Sequence, residues 1–214
     1  MFRHRFVALL CTVLLVTSHV VAAAPDASTP DASTKALLGQ ATKQIGVTLS
    51  YDPNYRQLGY PMGDVPRSTG VCTDVVIRAY RDAFGIDLQQ RVHEDMRANF
   101  KQYPRKWGLK KPDRNIDHRR VPNLMTFLTR QQASLPISKI ASDYQAGDIV
   151  TWDLGGGITH IGLVDQTATA DARPLIIHNI GAGTQREDLL FEYKIIGHYR
   201  WLPIDAPAPT RGSQ

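Results

Sequence analysis

The sequence predicts an α+β fold, with N-terminal helices packed on a C-terminal antiparallel sheet, and three observations predict it. Apolar residues between 35 and 132 recur at helical spacing, whereas those beyond Pro136 recur at every second position. The second-half runs are short and separated by turn-forming clusters (Gly155-Gly156-Gly157, Thr167 to Arg173, Gly181 to Gly183), which favours antiparallel pairing. With 214 residues, 43% of them hydrophobic, the chain can build one full-sized core, so a single domain over 35–203 is expected.

In chain order, Met1 to Ala24 has a basic start (Arg3, His4, Arg5), an apolar core from Phe6 to about Val16 and a small-residue tail before Pro25. This is the layout of a cleavable secretory signal, with an apolar run too short to span a bilayer. The expected product is periplasmic or secreted, with no transmembrane anchor after cleavage. Residues 25–34 write Pro-Asp-Ala-Ser-Thr twice, a polar stretch expected to be a flexible linker. Lys35 to about Ile45 carries Leu37, Leu38, Ala41 and Ile45 on one helical stripe. The prolines and glycines of 46–70 predict a loop with one short strand, Val47 to Tyr51.

The next helix starts at Cys72 and stops at Gly85, with Cys72, Val75, Val76, Ala79 and Ala83 on one face and Asp74, Arg78, Arg81 and Asp82 on the other. Val92 to Gln102 and Val121 to Gln132 read as further helices. Between them, Tyr103 to Arg120 is a charged loop, either a solvated surface or a rim whose arginines grip substrate carboxylates. Strands are expected at Gly147 to Asp153, Thr159 to Gln166, Pro174 to Ile180 and Gly197 to Leu202, with a disordered tail over 204–214.

Composition narrows the function. The formal charge of +5 falls to 23 basic against 20 acidic residues once Arg3 and Arg5 are removed, which suits an acidic wall and argues against nucleic acid. No cofactor is expected, and no metal: His93-Glu94 begins like a zinc-protease helix, but Arg97 stands where the second ligand histidine is needed. Cys11 lies in the leader after bulky Leu10, which argues against lipidation, so the mature chain keeps Cys72 alone. An unpaired thiol in an exported protein is either buried and inert or used. At a helix start the unpaired amides and dipole favour the thiolate, as a neighbouring imidazole would, which predicts a partly exposed, reactive cysteine.

A cysteine nucleophile needs a base and a group that orients it. His160 is the candidate base, and His178 or Asn179 the orienter. The latter two are neighbours on a strand, point to opposite faces, and only one can reach His160. His93, His118 and His198 are expected to be structural.

The order of a helix-borne cysteine, Gly147-Asp148 at a strand start, His160-Ile161-Gly162-Leu163-Val164 and then Ile176-Ile177-His178-Asn179 is similar to the NlpC-type branch of the papain-like cysteine peptidases, many of which cleave peptidoglycan peptides. The resemblance implies that Tyr60, in Tyr60-Pro61-Met62-Gly63, helps form the oxyanion or substrate pocket with the backbone N–H of Cys72. Val71 and Asp74 depart from that pattern, where an aspartate and a glycine usually stand, and Gln89 to Gln132 is a long insertion. From about Tyr51 to Arg200 the chain resembles more closely an uncharacterised family of exported bacterial proteins, a domain of unknown function. That likeness is carried by Gly70-Val71-Cys72-Thr73-Asp74, Val92-His93-Glu94-Asp95-Met96, the run from Pro112 to Leu124 and Gly197-His198-Tyr199-Arg200.

The expected activity is a thiol hydrolase or amidase on a peptide or amide bond of the cell envelope, plausibly the peptidoglycan stem peptide. Cys72, His160 and His178 would be its catalytic set, with Tyr60, Asn179, Arg119 and Arg120 at the substrate. Arg114 is expected to join these arginines. Thiol acyl transfer at the same site, or a non-catalytic wall-binding protein, are the alternatives.

Overall fold

The computed structural model describes residues 30–202. The expected signal, most of the linker and the tail lie outside the described residues. Four helices, α1 (Ala32–Thr42), α2 (Cys72–Phe84), α3 (Leu88–Asn99) and α4 (Val121–Arg130), precede a five-stranded antiparallel sheet. Its strands are β3 (Ile149–Asp153), β4 (Thr159–Ala168), β5 (Pro174–His178), β6 (Gln185–Glu187) and β7 (Lys194–Tyr199), in the order β6-β5-β4-β3-β7. A two-stranded parallel ribbon, β1 (Ser50–Tyr51) and β2 (Thr69–Gly70), leads into α2. The α+β class is as expected from the change of period along the chain.

The second copy of the Pro-Asp-Ala-Ser-Thr motif is not linker. Asp31 caps α1, its carboxylate accepting the Thr34 N–H at 2.7 Å, so the helix begins inside the repeat. Its stripe of Leu37, Leu38 and Ala41 is buried as expected, but the helix ends before Ile45, which is exposed. Likewise α3 begins at Leu88, ahead of the expected Val92, because Asp87 caps it through the Gln89 N–H.

Helix α2 is the centre of the molecule. Its apolar face packs on α1 and β4, and Gly85 ends it in the left-handed region at φ 68°. Of its polar face, Asp74, Arg78 and Arg81 are buried and only Asp82 is exposed. Arg78, 1% exposed, donates to the Asp64 carboxylate, the Thr48 hydroxyl and the Thr69 carbonyl, and Arg81 donates to the Gly63 carbonyl. The long 46–70 loop is ordered because two buried guanidiniums of α2 give its backbone and carboxylates partners. The charged 103–120 stretch also turns inward at its end: Asp117, His118 and Arg119 form a buried 3₁₀ turn before Pro122 opens the first turn of α4.

Both faces of the sheet are covered. Ile149, Ile161, Leu163, Ile177 and Tyr199 join the helices in one core, while Val150, Trp152, Val164 and Ile176 pack with Tyr144 and Leu190 on the back. The Trp152 indole N–H donates to the Leu190 carbonyl at 3.0 Å, so the 179–193 segment is a lid on that second core. Strand β6 belongs to this segment and was not anticipated, and β7 begins at Lys194 rather than Gly197, past a bulge opposite Thr151 and Trp152.

Candidate active site

Cys72 is the first residue of α2, and three structural devices place it. Val71 is extended at the N-cap, and its N–H is accepted at 2.7 Å by the carboxylate of Asp74, which closes the helix start on itself. The β1–β2 ribbon fixes the approach, pairing Tyr51 with Gly70. Asn179 then holds that approach against the sheet, its amide donating to the Gly70 carbonyl at 3.1 Å. The β4–β5 register ends at Leu163↔Ile177, and beyond it Asn179 leads its chain away from β4. The backbone N–H groups of Ile161 and Thr73 and the Tyr51 hydroxyl neighbour the sulfur, and each favours its thiolate.

The two histidines lie one strand apart on the back face. His160 pairs across strands with Trp152, and its Nε2 is 3.0 Å from Nδ1 of His178, the rings meeting edge to face at 84°. Gly162 makes this approach possible, since a Cβ there would come within 2.6 Å of Ile176 and 3.1 Å of the His178 Cβ. The far nitrogen of His178, Nε2, lies 3.0 Å from a carboxylate oxygen of Glu187 on β6, off the line of an aligned hydrogen bond, as a charge contact. Of the two neighbours considered as orienter, His178 therefore reaches His160, and Asn179 serves the loop before Cys72.

The electrostatics run against the expected thiolate. Cys72 is 3% exposed, and burial pushes its pKa up to about 11, with Asp74 adding to the rise and the Ile161 N–H opposing it. The helix start does offer positive potential, but Asp74 sits in that first turn and cancels it. His160 is held down to about 3 by burial and by the neighbouring His178, and His178 is also lowered by burial, against the pull of Glu187. The resting site thus holds a neutral thiol on the helix side of β4 and two neutral imidazoles on its back face, neither of which lines the cavity at the sulfur. No hydrogen bond joins the sulfur to His160 among the described residues. In the native protein, alkylation of Cys72 at pH 7 should be roughly a hundredfold or more slower than that of a free thiol, rising toward pH 11, and denaturation should abolish the difference. Rapid modification of the folded protein at neutral pH would contradict this.

A cavity of about 190 Å³ opens over the sulfur, with Tyr51, Cys72, Trp107, Arg120, Val121 and Thr159 among its walls. Arg119 reaches it but is spent on structure: buried, it grips Asp74 with two N–H donors at 3.1 and 2.9 Å and also holds the Asp52 carbonyl. Arg120 lies 4.1 Å over the Trp107 ring, with one terminal nitrogen on Asp117 at 3.1 Å. Tyr60 is not in this cavity. It packs against His93 and beneath Arg114, which takes Arg114 from the site as well, and the tyrosine at the sulfur is Tyr51. His118 belongs to the buried turn and is lowered to about 3 by burial, and His198 bridges Asp148 and the Pro136 carbonyl. Among the described residues no cluster of His, Cys, Asp or Glu is arranged to hold a metal, and no helix is long and apolar enough to cross a membrane.

Two residues of the arrangement were missed from sequence. Tyr51 was assigned only to the strand before the loop, and its pairing with Gly70 across nineteen residues has no local signal. Glu187 lies on β6, where the alternation is too short to announce a strand.

The model of the family described as a domain of unknown function, DUF1287, matches residues 38–201, a span that holds every residue of the cavity and of the histidine chain. The chain is also 54% identical over 199 residues to the uncharacterised protein YijF of Escherichia coli strain K12, covering 91% of this chain and 97% of that one. On both grounds the chain belongs to the DUF1287 family.

Proposed function

We propose that this protein is an exported cysteine hydrolase or amidase of NlpC-like, papain-type architecture, acting on a peptide or amide bond of the cell envelope, with peptidoglycan stem peptides as the substrate class. The observation that carries the reading is a line of polar groups that begins one residue before Ile161, whose backbone N–H neighbours the sulfur: His160 Nε2 to His178 Nδ1 at 3.0 Å, then His178 Nε2 to Glu187 at 3.0 Å. His160 is left with Nδ1 as its unengaged nitrogen, the one available to a thiol. A leader of secretory layout supports export.

In this mechanism the thiol gives its proton to His160 as the sulfur attacks the substrate carbonyl. His160 returns the proton to the departing amine, and water attacks the thioester with His160 again as base. Starting from neutral groups is compatible with this, because the proton moves during attack rather than before it. The missing sulfur–imidazole hydrogen bond is a contact that forms when substrate closes the site, as catalytic contacts in empty sites often do. The backbone N–H of Cys72 and the Tyr51 hydroxyl would receive the developing oxyanion. Arg120, stacked on Trp107 with N–H groups left over, would take a substrate carboxylate.

The test is to incubate the mature protein with whole peptidoglycan and identify released fragments by mass, with Cys72→Ala in parallel and an added amine to trap acyl transfer. Fragments from the wild type alone, cut at an amide, support hydrolysis, and Arg120→Gln should raise KM with kcat little changed. Binding of the wall without Cys72-dependent fragments would replace this reading with that of a wall-binding protein.

A further inference from the structure

Glu187 stands at the end of a chain of ring nitrogens, and its position decides where the protons of that chain reside. It is on the edge strand β6, diagonal to His178 on the same face of the sheet, and its side chain is 45% exposed while that of His178 is fully buried. A carboxylate accepts hydrogen bonds and does not donate them. Even off the hydrogen-bond line, the carboxylate charge of Glu187 at 3.0 Å draws the ring proton to Nε2 of His178 and leaves the lone pair on its Nδ1. That lone pair faces Nε2 of His160 at 3.0 Å, so Nε2 of His160 must be the donor between them. The proton of His160 being spent on Nε2, its Nδ1 is left as an acceptor. With the order reversed, Nδ1 of His160 would carry the proton and could not take one from a thiol.

We propose that Glu187 is a positioning residue that fixes the tautomers of His178 and His160 in series and so makes His160 a base toward Cys72; its link to catalysis rests on the hydrolase reading above. The neutrality of both rings supports it, since only neutral imidazoles have tautomers to choose between. The groups facing the pair are few. Glu187 is the charged one beside His178, Gln185 stands across from His178 on β6, and Trp152 lies along His160.

The experiment reads protons directly and needs no substrate. Long-range ¹⁵N–¹H spectra of histidine-labelled protein at neutral pH assign the protonated nitrogen of each ring, in the wild type, Glu187→Lys and Glu187→Gln. The wild type should show Nε2–H on both His160 and His178. A lysine ammonium only donates, so Glu187→Lys should interchange the protonated and lone-pair nitrogens of both rings. Loss of the carboxylate charge in Glu187→Gln should lower the pH at which His178 protonates, a readout that survives should the lysine variant not fold. The inference is overturned by Nδ1–H on His160 in the wild type, by a lysine variant that changes His178 alone or neither ring, or by an unmoved His178 midpoint in the glutamine variant. Failure to find any cleavage of peptidoglycan would remove the hydrolase reading and leave these spectra as they are.

Discussion

Replacing His160 with alanine should leave the enzyme nearly as inactive as Cys72→Ala, while His178→Asn should retain measurable turnover. Removing the base takes away both acceptance of the thiol proton and its return to the leaving amine, a loss of roughly a hundredfold to ten-thousandfold. The effect should fall at the upper end here, because burial pushes the Cys72 thiol up to about 11 and leaves almost no thiolate to act without a base. At His178 an asparagine still offers an amide oxygen to His160 Nε2, which keeps the ring oriented. A Cys72→Ala, His160→Ala double variant should be no worse than Cys72→Ala alone, since the groups act as one unit. Turnover is to be followed as release of wall fragments. Near-normal turnover in His160→Ala with a dead Cys72→Ala would move the base elsewhere and dismantle the proposed site.

Breaking the Asp74–Arg119 pair should produce the largest loss of stability. Asp74 and Arg119 are both buried, and the pair does three jobs: it closes the start of α2, carries the 3₁₀ turn of 117–119, and through the Asp52 carbonyl holds the segment that follows Tyr51. Removing one partner leaves a charge in the interior, which costs about 3–5 kcal/mol. Asp74→Asn and Arg119→Met should each lower the urea midpoint by that scale, and the double variant should fall short of the sum of the two. Asp74→Asn carries a second signature. Asp74 raises the Cys72 pKa, so the less stable protein should have the more reactive thiol. Additive, sub-kilocalorie effects would mean that the pair is a surface-type contact despite its burial.

What was legible in the sequence follows from which forces are local. The α+β order, the span of α2 and the strands carrying the two histidines were readable from period and punctuation, because burial pattern and glycine caps act over a few residues. Even the choice between His178 and Asn179 was posed correctly, since alternation along a strand admits only one of them to His160. The rest depended on distant partners. Arg78, Arg81 and Arg119 look like solvent-facing charges until Asp64, Asp74 and loop carbonyls from elsewhere in the chain are folded onto them. The choice of Tyr60 over Tyr51 followed a family likeness in sequence order, while the ribbon register that selects Tyr51 is a tertiary fact. Reactivity was inferred from the helix start and a neighbouring imidazole, and burial together with Asp74 reversed its sign.

The tie from Asn179 to the turn before Cys72 also says something about folding order. Contacts among α1, α2 and α3 are close in sequence and inexpensive to form, whereas the tie from Asn179 to Gly70 spans 109 residues. The walls that cover the sulfur, Ile161 behind it and the Gly70 turn held by Asn179, therefore come together only when the last-synthesised half of the chain docks on the first. A chain with its helices formed and its sheet still open carries an accessible, ordinary thiol, and the same late step that completes the histidine chain is the one that hides and silences it.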